Sequence, residues 1–533
     1  MFRYDGTVDH PAGRELLLLA LLGAFTGVLA GGCAVIFRYM IAFFHNLAFC
    51  GTVSLHYDAL AHADPSPWGV GIILIPLAGA LLVAFLVRNF APGARSHGVP
   101  QIMYSIYYRE AKIHPVLALI KSLSASISIG TGASIGREGP IIQITASVGS
   151  AIGGWLRFPG RVRTVLLAAA AAGGVAGSFD SPLGGVLFTI ELFLPAVSAA
   201  ALLPVSIAAV VATLISRSVF GTRPSLPVPM PELLSDPLIS SLPSLVVLGL
   251  VVGVISTLFI VALCKTSKWF DSLSGNYYIR HAFGMVLVGA EIWFFLKLTG
   301  NYYVEGLGYS TIFDLLNGRI VTFGLLLLLL AGKFIATSVS LGSGGSGGVF
   351  CPSLFLGALS GALVGELLAL VLPAGLAVPR ELLVLAGMAA AVGAITGTVL
   401  TGIVMVAELT GCYELLASAA LVSFIAFAVR RSWIGGGIYS QQLLGSNHSI
   451  PEGLQSAVWS SRRASDLMAP LPEGELPNNL IRVDADADMD AVLRQWNDYG
   501  ADGAVVTRGG EPAGILRDSE LAAACRSMAE RMV

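Results

Sequence analysis

The chain has 533 residues, 55% of them hydrophobic and 12% charged, and its mean hydropathy of +0.78 is too high for a soluble enzyme of this length. A formal net charge of −2 gives no bulk basic character, which argues against nucleic acid as a partner. The six cysteines are scattered, mostly in apolar runs, with neither a disulfide framework nor metal-ligand spacing, so no metal and no cofactor is expected.

A polytopic membrane protein is therefore expected, and the spans can be taken in order. After the polar lead Met1 to Arg14, the run Glu15 to Phe49 is long enough for a tilted first span that is retained, and Trp68 to Phe90 makes a second. Arg88, Arg95, Arg109 and Lys112 cluster around a polar connection containing Ser96-His97-Gly98-Val99-Pro100, which leans cytoplasmic by its positive charge. Val116 to Ile129 is too short to cross alone. It leads into Gly130 to Pro140, where Arg137 and Glu138 lie in a glycine-rich break that cannot face lipid. The glycines permit irregular backbone, and Pro140 suits a first helical turn whose free N–H groups point back at the loop. Such a helix start can hold a small anion.

Pro140 to Leu156 and Val165 to Val175 have the Ala, Gly and Ser content of closely packed helices. A break at Phe179-Asp180-Ser181-Pro182 precedes a helix over Leu183 to Leu194 bearing Glu191, and Val197 to Phe220 is another span. The proline-rich stretch Gly221 to Pro237 marks a boundary between halves. Beyond it come Leu242 to Leu263, Ala282 to Leu298, Val321 to Ser340, Ser353 to Leu372, a shorter pair across Glu381 to Leu409, and Leu415 to Val429. Arg430 and Arg431 at the end of the last span place the C-terminus in the cytoplasm. From about Ser460 the composition turns charged and soluble, with a β-α-β-β-α pattern: Asn479 to Asp484, an amphipathic Met489 to Tyr499, Gly503 to Thr507, Gly514 to Leu516 and a final helix.

The halves repeat. An offset of 212 carries Lys121 onto Lys333, Ser128 onto Ser340, Gly130 onto Gly342, Ser134 onto Ser346, Gly136 onto Gly348, Pro140 onto Pro352 and Gly149 onto Gly361. An offset of 217 then pairs Gly185 with Gly402 and Glu191 with Glu408. Two homologous halves, each with a broken helix, point to a transport site at the repeat interface. The copies differ where Glu138 stands opposite Phe350. A carboxylate found in only one of two equivalent loops is not required by the loop's fold. This favours a functional role over a buried ion pair with Arg137.

Three motifs resemble the CLC family of chloride channels and chloride/proton exchangers. Gly136-Arg137-Glu138-Gly139-Pro140 looks like its gating-glutamate loop. Gly347-Gly348-Val349-Phe350-Cys351-Pro352 resembles the loop whose backbone amides face the central anion, and Gly437-Ile438-Tyr439-Ser440 the segment that supplies a tyrosine hydroxyl. The resemblance covers roughly Glu15 to Gly445. It implies an all-α polytopic membrane fold of two inverted-topology repeats with broken helices, assembled as a homodimer with one pore per subunit, in a cell membrane (the inner membrane in a bacterium). It also implies chloride transport gated by Glu138, with His97, Gly136, Arg137, Gly139, Val349, Phe350 and Tyr439 around the anion. Without it, Tyr439 reads as an interfacial residue and Phe350 as core packing; Lys121 and Lys333 are not assigned to the site.

Two departures from the family pattern matter. Counting back from Pro100 puts His97 where a serine usually faces the anion. The residue after Glu191, commonly a proton-relaying glutamate in exchangers, is Leu192. The alkyl side chain leads us to expect passive conduction, with chloride/proton exchange by another proton route as the alternative. A membrane enzyme has no nucleophile–base pair to support it. The expected organisation is a transmembrane domain over 1–445, with halves at 15–230 and 238–445, a linker over 446–459, and a small α+β cytoplasmic module over 460–533. The module resembles one copy of a CBS domain, through Ser465-Asp466-Leu467-Met468, Val505-Val506 and Gly514-Ile515-Leu516. A single copy leaves the usual two-copy nucleotide cleft incomplete, so the expected partners are chloride, protons in the exchange alternative, lipid and a second subunit.

Overall fold

A computed structural model describes residues 13–91, 98–194, 197–228, 238–273, 275–371, 378–445, 463–471, 479–487, 489, 492, 495, 496 and 501–517. The chain divides into two compact units, Met1–Ser446 and Asn447–Val533. The first is helical. Its first half contains α1 (Gly13–His45), α2 (Leu74–Phe90), α3 (Val99–Tyr108), α4 (Val116–Gly130), α5 (Glu138–Trp155), α6 (Gly160–Phe179), α7 (Pro182–Leu192) and α8 (Ala199–Phe220). The second contains α9 (Leu238–Leu273), α10 (Tyr277–Thr299), α11 (Tyr309–Leu316), α12 (Phe323–Ser343), α13 (Phe350–Val371), α14 (Arg380–Thr396), α15 (Val399–Thr410), α16 (Leu416–Trp433) and α17 (Ile438–Leu444).

Among the described residues nine stretches are long and apolar enough to cross a membrane. This is a multi-span membrane protein.

Helix packing repeats with an offset of eight elements. α1 packs on α8 as α9 does on α16, α5 on α6 as α13 on α14, α6 on α8 as α14 on α16, and α2 on α4 as α10 on α12. The halves meet through α2 with α10 and α7 with α15, each helix touching its own counterpart. Self-pairing of this kind is what a two-fold axis between inverted repeats produces. It recurs at the glycine loops, where Gly136 and Gly348 form an isolated antiparallel bridge, each N–H donating to the other's carbonyl at 2.8 Å.

The shorter helices depart from the sequence reading. α3, α11 and α17 have 10, 8 and 7 residues, below any membrane-length threshold, and α3 falls where a polar connection is expected. None is long enough to span. Their burial in protein rather than lipid makes room for backbone breaks at membrane depth. The described part of the interhalf connection folds back, with Leu226 N donating to Leu409 O at 2.9 Å.

In the second unit, α18 (Ala464–Leu467) precedes β1 (Leu480–Asp484), β2 (Gly503–Arg508) and β3 (Glu511–Leu516). The sheet order is β1-β2-β3, with β1 parallel and β3 antiparallel to β2. The parallel pair needs a crossover, and Met489, Val492 and Trp496 bury one helical face against Val483, Val506 and Leu516. β3 starts three residues before the expected Gly514. Gly509 and Gly510, with φ of 63° and 90°, make a two-residue turn of the kind that pairs strands at once. The expected final helix lies outside the described residues.

Candidate anion site

The site is built from helix starts. α5 begins at Glu138 and α13 at Phe350, and the Gly136–Gly348 bridge holds these two N-termini side by side. α3 begins beside them. Gly98 (φ 90°) packs so closely that a Cβ there would stand 2.5 Å from Gly139 O, a conformation and an approach that favour glycine. α17, which carries Tyr439 in its first turn, packs on α3. Unpaired N–H groups and the positive ends of helix dipoles favour negative charge here.

In this structure the acceptor at these helix starts is the protein's own carboxyl group. Glu138 is buried, and its Oε1 accepts a 2.5 Å hydrogen bond from Phe350 N at the start of the opposite half's helix. Its Oε2 is buried with no hydrogen-bond partner. The carboxylate lies over both glycines of the bridge, where a Cβ on Gly136 or Gly348 would overlap it. Arg137 does not neutralise it. The guanidinium turns toward Ser178 O at 2.8 Å and sits 5.0 and 5.5 Å from the Phe179 and Tyr309 ring centroids, and among the described residues no ion pair joins it to Glu138.

The other expected site residues take distinct places. The Gly136 amide is engaged by Gly348, and Gly139 approaches Gly98. Val349 is buried, its carbonyl accepting from Ser353 N at 2.9 Å and Ser353 Oγ at 2.7 Å. The Phe350 ring packs on Phe179 at 5.5 Å, leaving its amide to face Glu138. Tyr439 is 2% exposed, and its hydroxyl has no hydrogen-bond partner among the described residues. His97 lies outside the described residues.

Sequence reasoning missed two reciprocal sets of contacts that the repeat offsets already paired. Ser134 N donates to Ser340 Oγ at 3.2 Å, and Ser346 N to Ser128 Oγ at 3.4 Å. Glu191, half-buried at the end of α7, accepts from Leu400 N, Thr401 N and Thr401 Oγ1 at 3.0, 2.9 and 2.5 Å, capping α15. Glu408 returns the contact. It accepts from Ser181 Oγ, Leu183 N and Gly184 N at 2.5, 3.1 and 2.8 Å, capping α7. Of the two lysines set aside, Lys333 is held by Val304 O and Gly306 O at 3.1 and 2.9 Å, and Lys121 is fully buried.

Paired helix starts around a buried carboxylate, within inverted repeats, define a membrane transport fold. A family model described as voltage gated chloride channel matches residues 79–431. The chain belongs to that family, the CLC proteins. It is 30% identical over 442 residues to the H(+)/Cl(-) exchange transporter ClcA of Vibrio vulnificus (strain YJ016), covering 81% of this chain and 90% of the relative. It is 29% identical over 394 residues to a putative chloride channel protein ClcB-like of Ralstonia nicotianae (strain ATCC BAA-1114 / GMI1000), covering 72% and 88%. The solved structure of a slow cyanobacterial Cl-/H+ antiporter superposes with a TM-score of 0.70 at 26% identity, over 82% of this chain and 98% of that one.

Proposed function

We propose that the protein exchanges chloride for protons across a cell membrane, the inner membrane in a bacterium, and that Glu138 both blocks the anion path and carries the proton. The observation that carries this reading is the Glu138 carboxyl group on Phe350 N, with no ion pair among the described residues, where a bound anion would find the same donor. Ionised, the carboxylate competes with chloride for the helix N-termini. Protonated, it loses its charge and most of its strength as an acceptor, and chloride takes its place. The amides of Gly139, Val349 and Phe350 and the hydroxyl of Tyr439 are the proposed anion contacts, while Arg137 contributes through its backbone.

The passive conduction expected from Leu192 is not supported, because relatives covering most of this chain are named as exchangers. Leu192 removes only one route. Glu191 beside it is occupied by the α15 N-terminus, so proton entry at that end of the molecule uses other groups. The proposal includes a homodimer with one pore per subunit, as the resemblance implies, and a single CBS-like tail over 460–533 that supports assembly.

The test uses purified protein in liposomes. A chloride gradient should drive uphill proton movement at a fixed ratio, and Glu138→Gln should abolish proton movement while chloride still flows. A reversal potential that follows chloride alone in the unmodified protein would overturn the exchange reading.

A further inference from the structure

A groove of about 310 Å³ opens on the surface between the start of α4 and the end of α5. Pro115 and Ala118 form one wall, and Val148, Ala151, Ile152 and Trp155 the other. The hydroxyl in that second wall, on Ser147, is spent inside its own helix on Gln143 O at 2.6 Å, so the walls present carbon. Trp155 is 83% exposed at the mouth, and Val116, Leu119 and Leu156 near it are exposed too. In a multi-span protein such a surface meets acyl chains, and an exposed tryptophan at a helix end suits the head-group level.

The rim of the groove is cationic. Lys112 is held beside the start of α4, because Ser150 Oγ of α5 accepts from Ile113 N at 2.9 Å and donates to Ala111 O at 2.6 Å, one residue to either side of it. Its charge is shared with Glu110. Arg157, two residues beyond Trp155, is exposed in the turn from α5 to α6, with a φ of 54°. Arg163 lies along the last turn of α5, its Cγ 2.9 Å from where a Gly153 Cβ would stand, and its Nη2 donates to Phe158 O at 3.4 Å. Among the described residues neither arginine has a carboxylate partner. These three cations against one carboxylate leave a positive edge beside an apolar slot.

We propose that the groove binds an anionic phospholipid of the cytoplasmic leaflet, with one acyl chain between α4 and α5 and the phosphate at Arg157 and Lys112. Carbon walls that open toward lipid suit a chain and give a polar ligand nothing to bond. The rim then selects the head group: guanidinium and ammonium groups attract a net negative lipid and repel the ammonium of a zwitterionic one. The positive charge at this end of the helices assigns the site to the cytoplasmic leaflet. Because α5 begins at Glu138 and α4 leads into the loop before it, the bound lipid braces two helices that end at the anion site. The inference holds whatever the pore carries.

Tryptophan fluorescence provides the test. The full chain is reconstituted in vesicles of one fixed mixture of phosphatidylglycerol and phosphatidylcholine, with bromine on the acyl chains of one lipid or the other. The Trp155 signal is the difference between the unmodified protein and Trp155→Phe. Quenching should show phosphatidylglycerol enriched about fivefold near Trp155 over its share of the bilayer, the factor one cation near the surface contributes. Arg157→Gln should bring the enrichment down toward that share. Ala151→Leu, a larger side chain in the groove wall, should abolish it with the rim intact. Quenching by both labels in proportion to bulk composition overturns the proposal, since the groove then meets bulk lipid only. No quenching by either label also overturns it, because another segment of the chain then fills the groove. An enrichment that survives Arg157→Gln combined with Lys112→Gln overturns the assignment of the phosphate to this rim. If Ala151→Leu does not fold, as judged by thermal unfolding, the two surface variants decide alone.

Discussion

The hydroxyl of Tyr439 is buried without a partner among the described residues, a state that costs about 1–3 kcal/mol for an unsatisfied polar group. An anion at the helix starts would relieve that cost, since a hydrogen bond to a charged acceptor is worth about 1.5–3 kcal/mol. Tyr439→Phe is therefore expected to weaken chloride binding by about tenfold or more, read by calorimetry, without lowering the unfolding temperature of the chloride-free protein. A destabilised protein with unchanged affinity would make Tyr439 a packing residue instead. At this scale Glu138 was legible because the repeat offers Phe350 in its place. The contact between the Cys351 thiol and the Tyr309 hydroxyl was not legible, because the Cys351 motif draws attention to backbone amides and only the fold brings together two residues 42 positions apart.

Helices long enough to cross a membrane announce themselves by composition, which is why α2, α8, α10 and α12 fall close to their expected limits. α3, α11 and α17 did not, because short helices buried in protein carry no such signal, yet α3 and α17 flank the site. The two capping glutamates were visible only as a matched pair. Each accepts three hydrogen bonds at its partner helix's start, where the dipole also favours a carboxylate. Glu191→Ala and Glu408→Ala should each cost about 1–2 kcal/mol by loss of a cap, seen as lower thermal unfolding temperatures of similar size. A loss confined to Glu191 would show that the two ends of the α7–α15 pair are not equivalent.

The duplication extends from single hydrogen bonds to the order in which helices pack, so equivalent positions should respond alike to equivalent changes. Gly149 of α5 and Gly361 of α13 allow this test, because each lies where its helix meets the next one against bare backbone. A Cβ on Gly149 would stand 2.5 Å from Leu166 O in α6, and one on Gly361 still closer to Leu383 O in α14. A carbonyl held in a helix cannot give way as the tip of a side chain can, so the helices must separate along the whole α5–α6 or α13–α14 contact. Gly149→Ala and Gly361→Ala should each destabilise by about 1–3 kcal/mol, as overpacking does, with Gly361→Ala the more severe. Gly154, also in α5, supplies the contrast, since a Cβ there meets nothing within 4 Å. Gly154→Ala should be neutral or stabilising by up to about 1 kcal/mol through helix propensity alone. Thermal unfolding of the three variants side by side checks the ordering, and a benign Gly361→Ala would mean that α13 and α14 do not approach as closely as α5 and α6.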